Sequence, residues 1–156
     1  MDSFYVPDNF PHKKITGYLP YLEGDLLKFT SGTDTIDFEV VGSEYYYIRG
    51  RKNNNDHVKE NAAMVARLVQ KNIDITITVA CLERRRFEVK ITQKEYGMVP
   101  RTLGVYLYEQ ETMSDMIFNQ FASTIYLTDK KAMIKRDRGI LYFTDKDGVK
   151  WTSAYM

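Results

Sequence analysis

The side chains able to do chemistry are few and far apart in this chain. Its two histidines are His12, in a proline-rich stretch, and His57, in a polar run, and both positions suit exposed side chains better than a catalytic base. The single Cys81 follows Ile73, Ile75, Ile77 and Val79 at every second position, which sets it on a core face as a small buried hydrophobe rather than a reactive thiol. Glu109, Glu111 and Asp115 are the nearest approach to a carboxylate group. Paired carboxylates do acid–base work when a fold gathers them in a pocket, but closeness along a loop is first of all a solvated loop.

Metal and nucleotide chemistry lack their motifs. One cysteine and two histidines are too few ligands for the zinc patterns. Asp145-x-Asp147-Gly148 has the look of a calcium loop, yet no closing Glu follows, so a hairpin turn is the expectation. Neither G-x-G-x-x-G nor G-x-x-x-x-G-K-[ST] occurs, nor H-E-x-x-H or G-x-S-x-G. No cofactor and no metal are expected.

Charge gives little direction to a partner. Twenty-two Lys and Arg face 21 Asp and Glu, a net charge of +1, so no global field draws the chain to phosphate polymers. Arg49-Gly50-Arg51-Lys52 and Arg84-Arg85-Arg86 fall at strand ends, where charge commonly guards against edge-to-edge pairing. Nucleic acid is therefore not an expected partner. No apolar run approaches the ~18 residues of a membrane span, and the opening Met1-Asp2-Ser3-Phe4-Tyr5-Val6-Pro7 lacks a secretory signal's basic start and apolar core.

The aromatic residues are the compositional feature with a functional edge. There are 12 Tyr, 8 Phe and 1 Trp, a bias that suits pleated, half-buried surfaces. Tyr45, Tyr46 and Tyr47 are adjacent, and strand alternation puts Tyr46 on the face opposite the other two. Tyrosine offers a large rigid surface with a polar tip, so these three are the candidate ligand- or partner-binding residues.

The elements that must position them read as strands. Pro7, Pro11 and Pro20 make residues 1–20 an extended N-terminal arm, its rings pinned to the surface of a single β domain over 21–156. Strands follow at Leu26–Ser31, around Ile36, Phe38 and Val40, and, after a break at Gly42-Ser43, over 44–49. Residues 58–70 fit two periods: Val58, Ala62, Val65 and Val69 a helix, Met64, Ala66 and Leu68 a strand face. The hairpin-like approach to Ile73 favours a strand over 63–70. Ile73–Cys81 and Phe87–Thr92 alternate as a β-hairpin, and 102–110 is a further strand. A short helix is expected within 111–120, where Met113, Met116 and Ile117 share a face. Strands return over 122–128, 131–136, 139–144 and 149–155, with turns at Asp137-Arg138-Gly139 and Asp145–Gly148. The fold class is all-β: about ten short, mostly antiparallel strands in a barrel or two-sheet sandwich.

Two stretches carry a resemblance. Gly17-Tyr18-Leu19-Pro20-Tyr21-Leu22-Glu23-Gly24-Asp25 with Lys28-Phe29 and Asp34-Thr35-Ile36-Asp37-Phe38, and Arg138-Gly139-Ile140-Leu141-Tyr142-Phe143 with Asp145-Lys146-Asp147-Gly148-Val149-Lys150-Trp151, resemble the opening and the closing hairpin of small exported lipoproteins of Bacteroides-type bacteria that have no assigned activity. The resemblance covers about a third of the chain and its motifs are structural, with Trp151 closing one end of the core. It implies a cell-envelope location, facing the periplasm or the surface, and a lipid anchor on the precursor. The expectation is a non-enzymatic envelope protein binding a small ligand or an envelope partner. An enzyme of unfamiliar type using Glu109, Glu111 or Asp115, and a purely structural envelope component, are the rival readings.

Overall fold

A computed structural model describes residues 11–49, 60–71, 73–82, 85–109 and 123–154. Ten antiparallel strands form one nearly closed, barrel-like sheet. They are β1 (Leu26–Ser31), β2 (Asp34–Arg49), β3 (Glu60–Gln70), β4 (Ile73–Leu82), β5 (Arg86–Glu95), β6 (Arg101–Glu109), β7 (Thr124–Leu127), β8 (Ala132–Lys135), β9 (Gly139–Thr144) and β10 (Lys150–Ser153). Their spatial order is β6-β5-β4-β3-β2-β1-β10-β9-β8-β7. Each strand thus pairs with the next along the chain except β6 with β7, where the seam falls, and β1 with β10 joins the two ends of the meander.

That seam is drawn shut locally. The Val105 N–H donates to Thr128 Oγ1 at 2.9 Å and the Thr128 N–H to the Val105 carbonyl at 3.0 Å. Gly104 allows the approach, because a Cβ there would stand 3.0 Å from Leu127 Cβ. Closing the edge removes the unpaired backbone groups on which another chain could template.

Of the segment that fits both a helix and a strand period, residues 60–70 are strand, with Ala62, Met64, Ala66 and Leu68 buried along β3, and residues 58 and 59 lie outside the described residues. Tertiary pairing on both sides overrides the helical propensity of its residues. The expected break at Gly42-Ser43 is instead a β-bulge: β2 runs unbroken for 16 residues and its register against β3 shifts between Val40 and Gly42. Val40 exchanges backbone bonds with Gly24 and Asp25 there, and Val41 becomes the extra residue.

The N-terminal arm also differs from its expectation. Residues 1–10 lie outside the described residues, but Pro11–Tyr18 is a 3-10 helix, not extended chain. Ile15, Tyr18 and Leu19 are fully buried in the core instead of resting on the sheet surface, packed toward β3, β4 and β9. Proline fixes φ without excluding a helical turn, and the burial of three apolar side chains decides the conformation. The segment is latched at its end. The Tyr21 hydroxyl accepts from the Ile140 N–H at 2.7 Å, Ser43 Oγ donates to the Tyr21 carbonyl at 2.7 Å, and the Asp137 N–H donates to the Gly17 carbonyl. Gly139 holds φ at +81°, and a Cβ there would land on the Tyr21 hydroxyl, so the corner admits only glycine beside that ring.

The core beside this latch is packed with rings. Phe29, Phe38 and Phe143 meet edge-to-face with centroids 5.3 to 6.2 Å apart. The β9–β10 hairpin tip crosses to β5, where Lys146 Nζ lies 3.6 Å from Glu95. Trp151 is half-buried beside this core, with its indole N–H donating to Asp145 Oδ2 at 3.0 Å.

Candidate functional site

The bulge in β2 decides what faces inward. Ahead of it Phe38 and Val40 are buried; beyond it the inward set is Ser43, Tyr45 and Tyr47, opposite Ala66, Met64 and Ala62 of β3. Without the extra residue, the alternation begun at Phe38 would have turned Glu44 and Tyr46 inward instead. Tyr47 is 8% exposed, Tyr45 37% and Tyr46 48%.

The pairing then carries two complete rows across five strands. Tyr45, Met64, Val79, Val89 and Tyr106 stand side by side, and so do Tyr47, Ala62, Cys81, Phe87 and Tyr108. In both rows tyrosines occupy the flanking strands β2 and β6, while the floor between them is aliphatic, thiol or phenyl. Tyr18 joins from the 3-10 helix, its ring 5.8 Å from Phe87, which in turn lies 6.1 Å from Tyr106. Five phenols therefore share this inner wall.

The two rows are apolar, with uncharged polar tips, and charge reaches the wall at Tyr18, on which Arg136 and Asp137 act. Among the described residues, neither row holds an acid, a base or a histidine. Burial, followed by the neighbouring Tyr47 and Cys81, pushes the Tyr45 hydroxyl well above its ordinary value, so it is a neutral donor and acceptor across the physiological range. Burial raises Tyr106 and Tyr18 in the same sense. Each hydroxyl can give and take a hydrogen bond, each ring can lie against an apolar group, and no charged base stands in either row to activate a nucleophile.

The remaining candidates fall elsewhere. Tyr46 faces outward and its hydroxyl donates to Glu44, which raises it and ties it to the outer wall. It borders a shallow depression of about 260 Å³ with Val41, Gly42, Val65 and Arg67. Cys81 is buried, as its register implied. Glu109 is on the outer wall, where Arg86 Nε donates to its carboxylate at 2.9 Å. With Asn61, Leu82 and Arg85 this pair lines a depression of about 360 Å³. Glu111, Asp115 and the helix expected over 111–120 lie outside the described residues, as do His57, Gly50, Arg51, Lys52 and Arg84. Of His12 only the backbone, within the 3-10 helix, is described.

The Asp145–Gly148 segment is a turn that consumes its own acid. Asp145 Oδ1 accepts from the N–H groups of Asp147 and Val149, and Gly148 sits at φ +84°. No group of three or more metal-ligating side chains occurs among the described residues, and no described helix is long and apolar enough to cross a membrane.

Tyr106, Tyr108 and Tyr18 are site residues that sequence reasoning passed over. The signal available was the shared Tyr-x-Tyr spacing of 45/47 and 106/108, which is what two flanking strands need to face one interior. Comparison with protein-family models, curated proteins and solved structures returns no match.

Proposed function

We propose that this chain is a non-enzymatic binding protein of the cell envelope, and that its ligand lodges against the tyrosine-bearing inner wall. The observation that carries the reading is the β2 bulge, which turns Tyr45 and Tyr47 to the same face as Tyr106 and Tyr108 over the floor of Met64, Val79, Cys81 and Val89. Two uncharged rows with several hydroxyls suit a ligand with an apolar body and a few neutral hydrogen-bonding groups. The envelope location is supported by the resemblance of residues 17–38 and 138–151 to exported lipoproteins.

Native mass spectrometry of the protein recovered from its source membranes tests both parts. A copurifying small, neutral, apolar molecule, and binding of the uncharged dye Nile Red that Tyr45→Ala with Tyr106→Ala weakens about tenfold or more, are the expected results. A ligand-free mass together with dye binding indifferent to those substitutions would refute the proposal.

A further inference from the structure

The turn between β5 and β6 is built unlike the other turns at its end of the barrel. The Met98 N–H donates to the Glu95 carbonyl at 2.9 Å and closes it. Those side chains are apolar and stand in water: Tyr96 is 88% exposed, Val99 81% and Met98 49%. The tips beside it at the same end are Ser31–Asp34, Thr128–Lys131 and Asp145–Gly148, all polar. Three large apolar groups at one tip, beside polar ones, form a surface that something is meant to cover.

The charge around the tip selects what covers it. Lys94 and Arg101 flank the turn and Lys71 caps the adjoining β3–β4 connection, all three exposed. Of the nearby carboxylates, Asp74 pairs with Arg67 at 2.9 Å, and Glu95 shares Lys146 with Asp147, at 3.6 and 3.4 Å. Among the described residues none of the three cations is in an ion pair. An apolar tip collared by unmatched cations, with one exposed tyrosine ring, has the chemistry that suits the headgroup layer of an anionic bilayer.

We propose that the β5–β6 turn is a membrane-surface contact. Tyr96, Met98 and Val99 enter the interface, and Lys94, Arg101 and Lys71 meet lipid phosphates. β5 runs from Phe87 in the tyrosine rows to Glu95 at this tip, so a barrel docked here points its tyrosine wall away from the bilayer. The inference stands on residues separate from that wall and does not depend on a ligand there.

Co-sedimentation of the full chain with vesicles tests it, using phosphatidylcholine alone and phosphatidylcholine with roughly one-third phosphatidylglycerol. The protein should pellet with the anionic vesicles, and Tyr96→Ser with Val99→Ser should weaken this about tenfold or more. Lys94→Glu with Arg101→Glu should remove the preference for anionic lipid, whereas Tyr45→Ala should pellet as the parent does. Failure to pellet with either vesicle, or pelleting unchanged by Tyr96→Ser with Val99→Ser, overturns the proposal. So does a dimer in sedimentation equilibrium that those two substitutions dissolve, which would give the tip to a second copy of the chain. The four side chains substituted at the tip are solvent-exposed, so melting temperatures close to the parent's verify that those variants are folded.

Discussion

Toward the β5–β6 turn the inner wall of the barrel carries Leu68, Ile75, Phe38 and Phe143, all buried; one or two rows beyond Ala66 and Ile77 on the same strands it carries tyrosines, and Tyr45 stands partly open. The short strands account for much of the difference. β7, β8 and β10 are four residues each, while β2 to β6 run for nine to sixteen. The packed end derives its stability from complementary rings, and the extended wall presents groups that a core does not need. Substitutions in the first region should therefore cost stability, and those in the second should cost binding.

The largest effect is expected in the packed end. Phe143 touches both Phe29 and Phe38, and Phe143→Ala leaves a cavity that the four-residue strands around it have little room to close. A loss of about 3–5 kcal/mol is expected from urea unfolding, with an unchanged slope if the transition is two-state. A loss below about 1 kcal/mol would mean that the rings are not the closed core described here.

The latch between the two regions comes next. Tyr21→Phe strips the acceptor from the Ile140 N–H in a buried corner, at about 1–3 kcal/mol. Burial, partly offset by that N–H, pushes the Tyr21 hydroxyl from 10.0 up to about 12. The folded state holds the neutral phenol, so this contribution is complete below pH 10.0 and is lost as pH rises from there through about 12. Chemical denaturation at stepped alkaline pH should show stability falling across that window, and falling less steeply in Tyr21→Phe. Equal slopes would separate Tyr21 from the alkaline limb.

How much of this contrast is legible in the chain depends on whether a period has polar residues to show it. Ile73 to Cys81 alternates with Asp74, Thr76 and Thr78, so the hairpin and the burial of Cys81 are readable directly. Tyr106 and Tyr108 alternate with Val105 and Leu107, four apolar residues in a row, and period two cannot say which pair turns inward. Only the pairing with β5, bulged between Ile91 and Thr92, decides it. The β2 bulge is hidden for a related reason: Gly42 marks a disturbance, but a break and an extra residue look alike until β3 is aligned beside them. The 3-10 helix of Pro11–Tyr18 is set by Ile15, Tyr18 and Leu19 reaching strands far along the chain, contacts that local proline rules do not contain.

The smallest stability effect sharpens the comparison most. Tyr45→Phe and Tyr46→Phe remove the same atom from adjacent residues on opposite sides of one strand. Tyr46 loses only an exposed bond to Glu44, and Tyr45 loses a hydroxyl from a wall whose apolar contacts its ring still makes. Each should change unfolding free energy by no more than about 0.5 kcal/mol. The two should part in Nile Red titration. Tyr45→Phe, which removes one hydrogen-bonding group from the inner wall, should weaken dye binding several-fold, by about 1 kcal/mol, while Tyr46→Phe should match the parent. If Tyr46→Phe is the one that weakens the dye, the ligand lies on the outer wall beside Glu44 and Arg67, and the inward turn imposed by the bulge is a packing device with no part in binding.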